Sequence, residues 1–161
     1  MAEDWYNLVE TQLVLTVQGD SWLGTAGTNV VTVEALLRPG PRSYFDHELP
    51  AISLKVVGKR QEDVTFSLFS KFYHFVAMII DRGGDLDALV NNVQLIGAQL
   101  ENLLESQFDS TYNLTGLGTH TDLEGGPVVR INGSVINYRQ DTNRIFTVVS
   151  TIDGEVELVM A

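Results

Sequence analysis

Apolar residues recur along the chain in two rhythms, one helical and one alternating, and each predicts its own elements. Behind Asp4, the residues Trp5, Leu8, Val9, Leu13 and Val17 fall at helical spacing, so the first element is an amphipathic helix capped by Asp4 and ending near Gly19. A second, longer helix is predicted over residues 86–105. There Leu86, Leu89, Val90, Val93, Ile96, Gly97, Leu100, Leu103 and Leu104 share one stripe, and Asn, Gln and Glu fill much of the rest. Asp85 stands where an N-cap is needed, and Asp87 suits the positive end of the helix dipole. Gly97 inside the stripe costs ~1 kcal/mol relative to Ala, which predicts close packing of that turn against a sheet.

The remaining pattern is that of strands. Residues 30–37 are β-branched and apolar, and Pro39-Gly40-Pro41 stops them. Residues 51–57 form a second apolar run with Pro50 at its mouth, where a strand need not donate a ladder hydrogen bond. Residues 58–63 read as a charged connection, followed by Val64, Phe66 and Leu68 alternating with Thr65 and Ser67, which predicts a hairpin standing partly away from the core. Residues 72–80 are nearly all apolar, interrupted only by His74, as expected of a central strand covered on both faces. Residues 128–138, 144–152 and 155–159 read as three antiparallel strands, joined at 140–143 and at Asp153-Gly154. The glycine-rich stretches 19–28 and 109–126 read as loops. Trp22-Leu23 in the first of them either tucks under the first helix or faces a partner. The fold class expected is α+β, a single domain over 1–161. It has one mixed, mainly antiparallel sheet, two helices on one face and a projecting hairpin or loops.

Composition narrows the class further. At 161 residues and 44% hydrophobic, the chain is long enough for one buried core. No apolar run approaches the ~18 residues of a spanning helix, and the first residues lack the pattern of a secretory signal, so a cytoplasmic protein without membrane contact is expected. With no cysteine, neither a disulfide framework nor a thiolate metal site exists. The formal charge of −11 is unevenly spread: residues 38–82 carry seven basic and five acidic side chains, a net of +2, and the remainder carries −13. Such a surplus of carboxylates disfavours gripping nucleic acid, where affinity rests on neutralising phosphates. A mildly basic patch on an acidic surface also suits two surfaces that meet head to tail in a ring.

The candidate chemical motifs are weak. Gly24-Thr25-Ala26-Gly27-Thr28 lacks the Lys-Ser/Thr ending of a phosphate-binding loop. His120 and Asp122 form an isolated pair in a glycine-rich loop, and with Arg130 they give the only enzyme reading, a small-ligand site assembled from distant loops. His74 in an apolar strand is expected to be a hydrogen-bonded side chain. Asp81 and Asp85 flank a tight turn, where carboxylates cap amides more often than they transfer protons. No catalytic residue, cofactor or metal is therefore assigned.

One longer pattern is more specific. Glu48-Leu49-Pro50-Ala51-Ile52-Ser53-Leu54-Lys55-Val56-Val57-Gly58 leads through a charged turn to the apolar run 72–80, then Asp81-Arg82-Gly83-Gly84-Asp85 and the helix 86–105. That order resembles the tail terminator proteins of long-tailed bacteriophages, the family of the lambdoid minor tail protein U. The positions carrying the likeness are Leu49, Pro50, Ala51, Ile52, Gly58, Asp85, Leu86 and the stripe through Leu104, and it covers the middle of the chain. The resemblance implies a non-enzymatic virion protein assembled in the host cytoplasm. It would form a homohexameric ring at the tail–neck junction, cap the tail tube protein, offer a surface to a neck or head-completion protein, and let DNA pass its lumen without specific binding. The alternatives within this class are a stopper, an adaptor or a tube subunit. Interface residues expected from the polar loops are Arg38, Arg42, Tyr44, Phe45, Lys59, Arg60, Glu62 and Asp63, with Tyr44 and Phe45 as apolar anchors. Residues 109–126 exceed what the family pattern leads one to expect.

Overall fold

The structure is a computed structural model, and residues 4–24, 29–35, 44–106, 127–141 and 144–160 are described. Two helices and five strands follow in the order α1 (Trp5–Gln18), β1 (Thr32–Glu34), β2 (Ala51–Asp63), β3 (Phe69–Gly83), α2 (Leu86–Glu105), β4 (Val128–Gln140) and β5 (Phe146–Met160). The strands form one sheet in the order β1-β2-β3-β5-β4. β1 pairs parallel with β2 and every other neighbour pair is antiparallel, so the sheet is mixed and mainly antiparallel, as expected.

Both helices begin where the sequence places them. Asp4 Oδ1 accepts from the Asn7 amide at 3.1 Å, and Asp85 Oδ1 accepts from that of Ala88 at 3.2 Å, each satisfying one orphan donor of a first turn. α1 buries Val9, Leu13, Val14 and Val17, and α2 buries Leu89, Val93, Ile96, Gly97, Leu100 and Leu104. These residues share one core with Ile52, Leu54, Val56, Tyr73, Phe75, Ala77, Ile79, Val148, Ile152, Val156 and Leu158, which all lie on one side of the pleat. The two helices therefore cover the same face. Leu23 is fully buried in this core and Trp22 packs partly against it, held by Asp20 Oδ2, which accepts from both their amides.

β3 is central, as its apolar run predicts, but its two faces differ. Tyr73, Phe75, Ala77 and Ile79 lie under the helices, whereas His74, Val76 and Met78 on the other face are only half-buried. That second face has a small core of its own at one end, where Tyr44, Leu49, Ala51 and Ile80 pack with Met78 and Val149.

Three strand boundaries depart from expectation. Residues 58–63 are not a connection: β2 runs on to Asp63, and the turn occupies 64–68. The charged residues are tolerated because this half of β2 lies outside the core and its side chains are solvated or paired. Residues 144–159 are not two strands either, since β5 passes through Asp153-Gly154 without turning. Gly154 marks a close approach instead: a Cβ there would stand 2.5 Å from Phe75 Cζ and 2.8 Å from the Arg130 carbonyl oxygen. Of the predicted strand 30–37, residues 32–34 form β1 and residues 36–37 lie outside the described ones.

Candidate interaction surface

The expected interface residues separate into groups with different fates. Arg38 and Arg42 lie outside the described residues. Tyr44 corrects the expectation of an exposed anchor: only 2% of it is accessible, its ring fills the small core on the open face, and its hydroxyl donates to Glu34 Oε1 at 2.7 Å. A phenol with an apolar slot and an acceptor in reach is more stable buried than displayed. Phe45 next to it is 68% exposed and stacks on His47 with ring centroids 5.7 Å apart. Arg82 holds this turn to the sheet. Its Nη1 donates to the Tyr44 carbonyl at 3.1 Å and to Asp46 Oδ1 at 3.0 Å, while Nε donates to Thr147 Oγ1 at 3.2 Å.

Lys59, Arg60, Glu62 and Asp63 line the outer half of β2. Register places Lys59 on the helix face, where its ammonium lies 5.8 Å from the Tyr6 ring centroid. Arg60 is on the open face, its guanidinium carbon 3.7 Å above the Phe72 ring and its Nη2 3.3 Å from Glu155 Oε2, and it also pairs with Glu62. His74 pairs with Asp153, and Arg130 with Glu157 at 3.0 Å. Arg60 with Glu155 and His74 with Asp153 line a shallow cleft of about 390 Å³ bounded also by Gly58, Phe72 and Asn132. Of its cations, Arg60 faces carboxylates of the same subunit and Lys59 faces the Tyr6 ring.

Beyond the last rung, Asp63↔Phe69, the hairpin tip projects. The amides of Val64 and Thr65 donate to the Leu68 carbonyl at 2.9 and 3.0 Å, and Thr65 Oγ1 accepts from the amides of Ser67 and Leu68 at 3.3 and 3.1 Å. This well-bonded turn displays Phe66 at 114% of its reference accessibility, with Val64 also exposed. Phe66 was missed in the sequence because 64–68 alternate like a strand. The available signal was the Thr65-x-Ser67 pattern, whose hydroxyl bonds backbone amides and competes with strand pairing.

Among the described residues the sheet has two edges that no strand covers in full. β1 pairs with β2 only through Ser53. Next, Glu10 of α1 takes over the edge, accepting from the Val56 amide at 3.0 Å and from Lys55 Nζ at 3.1 Å. From Val57 to Asp63 nothing among the described residues pairs with that side of β2. On the opposite side β4 is outermost, and it carries exposed Val135 and Tyr138.

No group of three His, Asp or Glu suited to a metal occurs among the described residues. Of the small-ligand set read from the sequence, His120 and Asp122 lie outside the described residues, and Arg130 is engaged with Glu157. Asp81 binds structure, its oxygens accepting from the Arg82 amide at 2.9 Å and Asn92 Nδ2 at 3.2 Å. Burial pushes its carboxyl above the usual range, and these two bonds partly offset that. No described helix is long and apolar enough to cross a membrane.

No protein-family model matches the sequence, and no curated relative matches it. Among solved structures the chain is similar to one described as "Virion of native gene transfer agent (GTA) particle", at 14% identity and a TM-score of 0.44, covering 96% of this chain and 99% of that one. An identity and score this low leave function to be argued from the surface itself.

Proposed function

We propose that this protein is a virion assembly subunit of the tail terminator kind, which closes into a ring, caps a tail tube and offers its other side to a neck protein. The observation that carries the reading is the hairpin tip. A single exposed apolar residue on a soluble protein is ordinary. A phenylalanine raised clear of its own subunit on a four-bond turn is instead a preorganised contact, because little ordering remains to be done on binding. The order of strand, turn and helix from residue 48 to 105 supports the specific family reading, since it is this order that resembles the tail terminators. The acidic surface supports a lumen that DNA traverses without being held.

Electron-microscopic class averages of the concentrated protein, alone and mixed with tail tubes, test the reading. Closed six-fold rings, free or on tube ends, are expected, and Phe66→Ser should remove the contact while leaving the thermal midpoint unchanged. Long tubes would make the protein a tube subunit. Monomers that leave tube ends bare would refute the proposal.

A further inference from the structure

We infer that successive copies of this chain join edge to edge, the start of β4 in one copy pairing antiparallel with the outer end of β2, residues 61–63, in the next, with Arg130 facing the next copy's Glu62. The inference rests on the ring reading for its closure and on the sheet for its contact. An edge strand presents unpaired amides and carbonyls, and the partner that satisfies them best is another edge of matching direction. The strand order supplies that match. β2 and β5 run one way and β3 and β4 the other, so β4 beside a second β2 continues the antiparallel alternation. The two edges are different surfaces on opposite sides of one sheet, which makes the contact heterologous. Contacts of that type build rings when the rotation closes.

Charge selects the pairing. β4 contains Arg130 and Arg139 and no acid. The free part of β2 contains two cations, but both turn back on their own subunit, Lys59 toward Tyr6 and Arg60 over Phe72 toward Glu155. Glu62 and Asp63 are left as the charges at the end of that edge. The side chains of Glu62 and Arg130 are 61% and 59% accessible, so each has room for a second ion pair beside the one it makes at home. With Arg130 opposite Glu62, the next copy is offset along the strands by about four residues, and the bulge between Ile131 and Gly133 limits the unbroken ladder to residues 129–131 against 61–63.

The absence of cysteine permits a direct test. Within one chain Glu62 and Arg130 are separated by three strand spacings, about 14 Å across the sheet, and by a further four residues, about 13 Å along it, so a disulfide, which needs Cα atoms within about 7 Å, cannot form inside a subunit. The doubly substituted E62C/R130C chain, oxidised at high concentration, should give a ladder of covalent multimers ending in one closed species. Each single variant should stop at the dimer. Rings in wild-type micrographs together with no ladder would overturn this seam and leave the ring reading standing. A ladder that grows without a closed species, with no rings in the micrographs, would keep the seam and overturn the ring. Monomers in both experiments would overturn both.

Discussion

Adding one methyl group at two glycines should move stability in opposite directions. At Gly154 a Cβ would stand 2.5 and 2.9 Å from Phe75 Cζ and Cε1 and 2.8 Å from the Arg130 carbonyl oxygen. Phe75 is fully buried beneath the helices and the carbonyl belongs to the neighbouring strand, so neither yields without moving a layer of the fold. Overpacking of this kind costs about 1–3 kcal/mol, and Gly154→Ala is expected at or above the upper end because two obstacles act together. At Gly97 the Cβ would lie 3.6 Å from Ile79 Cδ1 and 3.9 Å from Ile152 Cδ1, which is ordinary contact. Gly97→Ala therefore gains helix propensity without strain and should stabilise by about 0.5–1 kcal/mol. For a domain of this size ~1 kcal/mol corresponds to about 2–4 °C in Tm. Denaturant unfolding followed by the fluorescence of Trp5 and Trp22 measures both variants. A neutral Gly154→Ala, or a destabilised Gly97→Ala, would show that helix and strand sit differently over Phe75 and Ile79 than described.

Two further outcomes follow from buried polar groups. The Tyr73 phenol is pushed up to about 12, first by burial and then by Tyr6 and Asp4, so its neutral form stabilises the fold below pH ~10, and that contribution is lost as pH rises through about 12. Spectrophotometric titration should show a late tyrosine component that loses one phenol in Tyr73→Phe; an unchanged late amplitude in that variant would refute the assignment. Arg82→Ala should cost about 2–3 kcal/mol, the scale of lost charged hydrogen bonds, and should raise proteolysis at residues 44–48. Unchanged cleavage there would mean that Tyr44 alone secures the turn.

The core was legible in the sequence because its signals are periodic. The stripes of α1 and α2, their Asp caps and the apolar run of β3 each depend on local spacing, and the fold places them as read, except that the second face of β3 is only half covered. The hairpin boundary was not legible, because Lys59 to Asp63 are held in β2 by pairing with β3 rather than by their own propensity. Gly154 misled because a glycine after aspartate signals a turn locally, whereas its actual cause, the Phe75 ring, lies 79 positions earlier in the chain. Tyr44 misled for a similar reason, since its partners Glu34 and Arg82 come from distant strands. Of the surface, the charges on β2 could be read in advance. The exposure of Phe66 and the bare edges are properties of the assembled sheet.

The position of β5 has a consequence for how the protein is made. β5 lies between β3 and β4 and is the only strand bonded to either of them on the side where it sits, yet it is synthesised after both. While the ribosome is still producing residues 146–160, β4 has no partner among the described strands and β3 has only β2. The half-made chain can hold α1, the β2–β3 hairpin and α2 together, but it cannot close the sheet. Nascent chains should therefore stay protease-sensitive until residue 160 emerges, and the outer edge of β4 should form only once β5 is in place.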